Sequence, residues 1–135
     1  MPLPEERHLT FVVCEELRQE TGGKVSLLGV YGGEEILVIA PPGEAPILSG
    51  IGFYYCFGGG EGTFAARFEL TDPHGTQVIS NPVGQLVKRP DGALNVMVQL
   101  RPFPTAYGVY RARLYLDDRA YERTLRVTRR DPPPG

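Results

Sequence analysis

Apolar and polar residues take turns along much of this chain. Leu9, Phe11 and Val13 alternate with His8, Thr10 and Val12, and Phe64, Ala66, Phe68 and Leu70 alternate with Ala65, Arg67, Glu69 and Thr71. The same period recurs in Leu94, Val96, Val98 and Leu100 against Asn95, Met97 and Gln99. It appears again in Tyr110, Ala112, Leu114 and Leu116 against Arg111, Arg113, Tyr115 and Asp117. Neighbouring side chains of a strand point to opposite faces, so each segment predicts a strand with one dry side and one wet side. Strands of a parallel sheet would be apolar on both faces and would need long crossovers, so these are expected to pair antiparallel. Two further runs, "EILVIA" (35–40) and "ILSGIGFYYCF" (47–57), are apolar on both faces and are expected at the centre of a sheet or beneath a covering loop. No segment keeps a helical period beyond two turns.

Turn chemistry fits the strand reading. In "TDPHG" Pro73 takes the second turn position and Gly75 the fourth, as a type I turn prefers, and "RPDG" offers a similar bend. "YLDDRAY" links the last two strands as a hairpin, with Asp117 to Ala120 as the connection. The stretch "CEELRQETGGKVSLLGVYGG" (14–33) reads as a hairpin turning at Thr21 to Gly23, where Gly22 and Gly23 supply positive φ. That turn sets Leu17 opposite Leu27, with Val25 and Tyr31 extending the apolar row. It lines Glu16, Arg18, Glu20 and Lys24 along the other face, where opposite charges pair across the strands. Adjacent strand positions point apart, so Glu15 and Glu16 are not expected to converge on one substrate atom.

The 17 glycines and 13 prolines punctuate the whole length instead of gathering in a linker. Many short strands divided by turns are the mark of a sandwich or barrel. The expectation is an all-β, antiparallel sandwich of immunoglobulin-like build with about eight or nine strands. A single domain spans residues 1–135, with flexible tails near 1–7 and 129–135.

The segment 14–33, with its Glu-x-x-Arg and Gly-Lys-x-Ser-Leu-x-Gly-Val pattern, resembles a family of small bacterial proteins catalogued only as a domain of unknown function. The likeness covers residues 9–31 and, more loosely, 101–127, where Gly108, Val109 and Tyr110 open the final hairpin. It implies an immunoglobulin-like sandwich and brings no catalytic residues with it.

Composition narrows the function classes. A formal net charge of −2 provides no global field toward nucleic acid or an anionic membrane, and neither is expected as a partner. No apolar run approaches the roughly 18 residues of a membrane span. The start "MPLPEERHLTFVVCEEL" carries acidic residues and no signal-peptide core, so a cytoplasmic protein is expected. Cys14 and Cys56 sit in apolar runs, where packing is the natural role, and they should be reduced thiols.

Candidate chemistry is sparse. The glycine loop "FGGGEG" (57–62) lacks the lysine and the following helix of a phosphate loop, carries Glu61, and reads as a mobile connection. His8 and His74 have no second ligand at metal-like spacing, and Asp72 is expected to bond its own turn backbone. None of the three serines stands in a nucleophile elbow. No catalytic, cofactor or metal residues are assigned.

One face carries functional promise. Arg111, Arg113 and Tyr115 point outward from one strand, and Thr124, Arg126 and Thr128 from its neighbour, making a basic patch suited to carboxylate or phosphate. The same arginines equally suit a solvated face that discourages edge aggregation. The leading expectation is a non-enzymatic interaction module whose unknown protein partner is acidic. The alternatives are a small-ligand or enzymatic site near 57–62, and a structural subunit forming a homo-oligomer through a sheet edge.

Overall fold

Eleven strands realise the alternation in the computed structural model, which describes residues 3–134. They are β1 (Leu9–Gln19), β2 (Val25–Tyr31), β3 (Glu35–Ile39), β4 (Ile47–Leu48), β5 (Ile51–Phe57), β6 (Gly62–Thr71), β7 (Gln77–Lys88), β8 (Leu94–Leu100), β9 (Phe103–Pro104), β10 (Gly108–Leu116) and β11 (Arg119–Arg130). Single 3₁₀ turns at Glu6–His8 and Gly32–Glu34 are the helical segments described. Among the described residues no helix is long and apolar enough to cross a membrane.

Nine of the strands make two main sheets, as the alternation predicts. The four-stranded sheet runs β2-β1-β5-β8, the five-stranded sheet β3-β11-β10-β6-β7, and β4 pairs with β9 in a small third ladder. Among the described residues every pairing is antiparallel except one. β3 runs parallel to β11, with Glu35 beside Arg126 and Ile39 beside Arg130. The four alternating segments pair antiparallel as expected, and β3, which is not one of them, runs parallel because the chain leaves β2, crosses to the opposite sheet and joins the outer side of the last strand.

The four alternating segments pack as their pattern requires. Phe64, Ala66, Phe68 and Leu70 are buried, as are Tyr110, Ala112, Leu114 and Leu116, while Arg67 and Arg111 stay exposed. Facing them are Val13 of β1, Phe53, Tyr55 and Phe57 of β5, and Leu94 and Val96 of β8. Rings meet at Phe53–Phe68 (5.2 Å between centroids), Phe11–Tyr55 (5.0 Å) and Phe57–Tyr121 (4.8 Å), spacings at which tilted aromatic pairs attract.

The two runs that are apolar on both faces part company. β5 is central, between β1 and β8. β3 is an edge strand, and among the described residues no loop covers Leu37 and Ile39, which are exposed, so the placement expected for 35–40 is corrected.

Residues in both segments expected as tails touch the fold. Tyr121 donates its hydroxyl hydrogen to the Pro4 carbonyl at 2.6 Å, and Leu3 packs on the core. At the other end β11 continues through Arg130, and the Arg129 guanidinium reaches the Ala40 carbonyl at 2.9 Å.

The hairpin at 14–33 forms with Leu17 opposite Leu27 and the Glu20 N–H bonded to the Lys24 carbonyl. Gly22 and Gly23 take φ of 82° and 76°. Its charges pair differently from expectation. Glu16 and Arg18 face Leu28 and Ser26 across the ladder, so Glu16 binds Arg18 on its own strand (2.7 Å) and Arg101 beyond β8 (3.0 Å).

Past Cys14 the β1 backbone separates from β5, and a side chain takes over the ladder's work. Gln99 of β8 accepts from the Leu17 N–H at 2.8 Å and donates to the Glu15 carbonyl at 3.0 Å. It reaches over β5 because Gly52 lies between, paired with both Cys14 and Gln99. A Cβ at Gly52 would stand 2.7 Å from the Leu17 Cγ and 3.2 Å from the Cys14 Sγ. The strand glycine marks a close approach, not a turn.

Two predictions follow from this packing. Gln99→Leu leaves an N–H and a carbonyl unpaired and should cost about 1–3 kcal/mol, and Gly52→Val, which also overpacks Leu17, should cost at least as much. Urea denaturation midpoints at unchanged slope measure both. The second concerns alkali. Burial is the main cause raising the Tyr31, Tyr54, Tyr55, Tyr110 and Tyr121 hydroxyls above the ordinary 10.0, Tyr54 to about 12. The folded state therefore holds more protons than the unfolded chain once pH passes the ordinary 10.0. Stability should be full below pH 10 and fall as pH rises toward 12, with phenolate absorbance appearing together with unfolding.

Candidate interaction surface

The outer face of the five-stranded sheet is a lattice of polar side chains set by strand register. β10 and β11 are joined by only Asp117 and Asp118, with Leu116 opposite Arg119. Asp117 turns at a φ of 52°, and its carboxylate accepts from the Ala65 N–H at 2.8 Å. This tight connection replaces the longer one expected at Asp117 to Ala120 and slides β11 along its partner. Arg126 consequently faces Val109, Thr124 faces Arg111, and Glu122 arrives opposite Arg113.

That slide decides which members of the expected patch are available. Arg113 lies between Glu122 and Glu69 and binds Glu122 at 2.8 Å. Arg67 of β6 pairs with Glu69 at 2.7 Å and lays its guanidinium 4.2 Å from the Tyr115 ring centre. Arg113 is thus neutralised and the face of Tyr115 is covered, against the expectation that both serve a partner. Arg111 stands in a row with Thr124 and Thr71, with the Glu122 carboxylate 3.9 Å away. Arg126 borders a small cleft with Gly33, Glu34, Glu35, Val109 and Thr124. Among the described residues no carboxylate lies within ion-pair reach of it. Arg67, Glu69 and Glu122 were the residues missed by sequence reasoning. A two-residue hairpin register would have placed Glu122 beside Arg113.

The glycine loop 57–62 is anchored where a mobile loop was expected. The Gly58 N–H bonds the His8 carbonyl at 3.0 Å, and a Cβ at Gly59 would sit 2.6 Å from the His8 ring. Beneath it lies Lys88, only 1% exposed, whose ammonium donates to the Gly60 carbonyl at 3.1 Å and the Arg89 carbonyl at 2.5 Å. Two of its donors thus go to backbone carbonyls, one in the glycine loop and one on the following residue.

An open cleft of about 500 Å³ on the other sheet is bordered by Glu15, Glu16, Leu28, Ser49, Gly50 and Arg101. Both glutamates border it, and among the described residues no contact brings their two carboxylates together. The Glu16 carboxylate is already held by two arginines. Asp72 accepts from the His74 and Thr76 N–H groups at 2.9 Å, the turn role expected of it. Among the described residues no group of three or more His, Cys, Asp and Glu is placed to hold a metal.

Cys14 is fully buried, and burial pushes its thiol up from the ordinary value, while Cys56 is half-buried. Cys14 pairs with Gly52, four residues along β5 from Cys56, a separation of about 13 Å that no disulfide spans.

No protein-family model matches the chain, and no curated protein matches it.

The lattice makes the two neighbouring arginines unequal. Arg113→Ala removes the 2.8 Å partner of Glu122 and should cost about 0.5–1 kcal/mol, whereas Arg111→Ala, which gives up only a 3.9 Å contact, should change stability by less than about 0.5 kcal/mol. Urea midpoints of the two variants test the order.

Proposed function

We propose that the chain is a non-enzymatic cytoplasmic interaction module that takes an acidic segment of a partner protein on the outer face of its five-stranded sheet. The observation carrying this reading is Arg111, flanked by the hydroxyl-bearing Thr71 and Thr124, with Arg126 beside it and no carboxylate in ion-pair reach of Arg126 among the described residues. A guanidinium offers a planar fork for a carboxylate, and threonine hydroxyls can donate to the same oxygens. Both arginines are carried on paired strands, so little backbone ordering is needed on binding. Glu34 and Glu35 bound the cleft on the β3 side, which directs an acidic segment to approach along β10.

The test is a labelled glutamate-rich peptide followed by fluorescence anisotropy. Binding should weaken steadily as salt rises, since exposed charges are screened beyond about 10 Å at 0.1 M salt. Arg111→Ala with Arg126→Ala should reduce affinity about tenfold, a loss of ~1.4 kcal/mol, with an unchanged melting temperature. A wild-type chain that ignores the peptide, or a double variant that binds it equally well, would sink the reading.

A further inference from the structure

The β3 sequence and its position disagree. Residues 35–40 read as a strand buried on both sides, yet β3 is an open edge. Ile36 and Val38 are 2% and 4% exposed, while Leu37 and Ile39 on the outer face are 42% and 59% exposed. An edge strand presents unpaired N–H and carbonyl groups, and natural sheets usually guard such a row.

The other edges show what guarding looks like. On β7 the register slips twice against β6, leaving Val78 and Val83 as extra residues, and Pro82 removes a donor. β8 runs beside β7, whose Pro82 and Val83 border it. On β2 the ladder is interrupted at Gly29, where φ is 66°. β3 pairs with β11 in unbroken register from Glu35 to Ile39 and carries neither proline, glycine nor bulge.

We propose that β3 pairs antiparallel with β3 of a second copy of this chain, about a two-fold axis through Leu37, joining two five-stranded sheets into one. The strand is self-complementary in that register. Leu37 meets Leu37, Ile36 meets Val38, and Glu35 meets Ile39. Leu37 and Ile39 of both copies then form one apolar strip on the outer face.

Charge complementarity supports this partner over an unrelated one. Arg130 lies next to Ile39 on β11, is exposed, and among the described residues has no carboxylate in ion-pair reach. In the paired edge the second copy's Glu35 lies just across Ile39 from Arg130, about 10 Å between backbones, a gap that two long side chains on one face can close. Symmetry repeats the contact. Five residues a side is well below the roughly 20–30 of a standard interface, so the dimer should be reversible and concentration-dependent. It does not depend on acid docking, because Arg111 lies on β10 and takes no part in the edge.

Sedimentation velocity on the full chain over a concentration series tests the assembly. The wild type should move from the mass of one chain toward that of two. Leu37→Glu sets like charges opposite each other on the axis and should weaken dimerisation at least tenfold, as should Leu37→Lys. Mixing the two variants should restore a heterodimer at least tenfold tighter than either homodimer. A wild type that stays monomeric throughout, a dimer that Leu37→Glu leaves intact, or a mixture that fails to associate overturns the proposal. If the variants are poorly folded, wild-type hydrogen exchange decides. Slowing of the Glu35–Ile39 amides with rising concentration supports the edge, and exchange independent of concentration overturns it.

Discussion

One dry layer of side chains between two sheets is the constraint on which the rest of this molecule depends. It is centred on β5, whose Phe53, Tyr55 and Phe57 meet Phe68 of β6 and Tyr121 of β11. Large rings fill the gap between sheets economically but bring hydroxyls into it, and each hydroxyl requires a partner. Tyr121 finds the Pro4 carbonyl, which fixes the entry of the chain. Tyr110 accepts from the Ala106 N–H, which fixes the approach to β10. Among the described residues the Tyr55 hydroxyl has no hydrogen-bond partner, a cost of about 1–3 kcal/mol set against ring contacts with Phe11, Phe57 and Phe68. The layer also explains Gly52. Gln99 can replace the missing β1–β5 ladder only because the strand between them has no side chain on that face.

Most of this layer was legible in the sequence, because inward positions alternate over segments long enough to exclude a helix. Phe64 to Leu70 and Tyr110 to Leu116 are plain cases. Features set by partners distant in sequence were not legible. The position of 35–40 is fixed by which strand it joins, and an apolar run reads alike whether a neighbouring strand or another molecule covers it. Lys88 shows the same limit. Flanked by Val87 and Arg89 it looks like a surface lysine, and only the fold sets its ammonium beneath the glycine loop.

The candidate site was half legible for a sharper reason. Parity along β10 and β11 put Arg111, Arg113 and Arg126 on one face, and that face exists. Parity cannot supply register, and a two-residue change in loop length moves every opposite number by two positions. With the tight Asp117–Asp118 connection, Glu122 neutralises Arg113 and Arg126 moves beside Val109. A charge patch is thus a property of the pairing, not of either strand alone.

The same dependence on pairing separates the two sides of the sandwich. Along β7 the sequence invests in interruption, with Pro82, two bulges and exposed polar side chains that break an extended template. Along β3 it places isoleucine, leucine and valine in uninterrupted register and leaves two of them in water. A chain has ready means to guard an edge, and this one uses them on β7. Against that internal comparison, an unguarded and self-complementary β3 is a feature of the sequence and not a residue of neglect. Joining two such edges would also bring the Arg111 and Arg126 faces of both copies onto one continuous sheet. The basic surface would then be doubled without any change in the strands that build it.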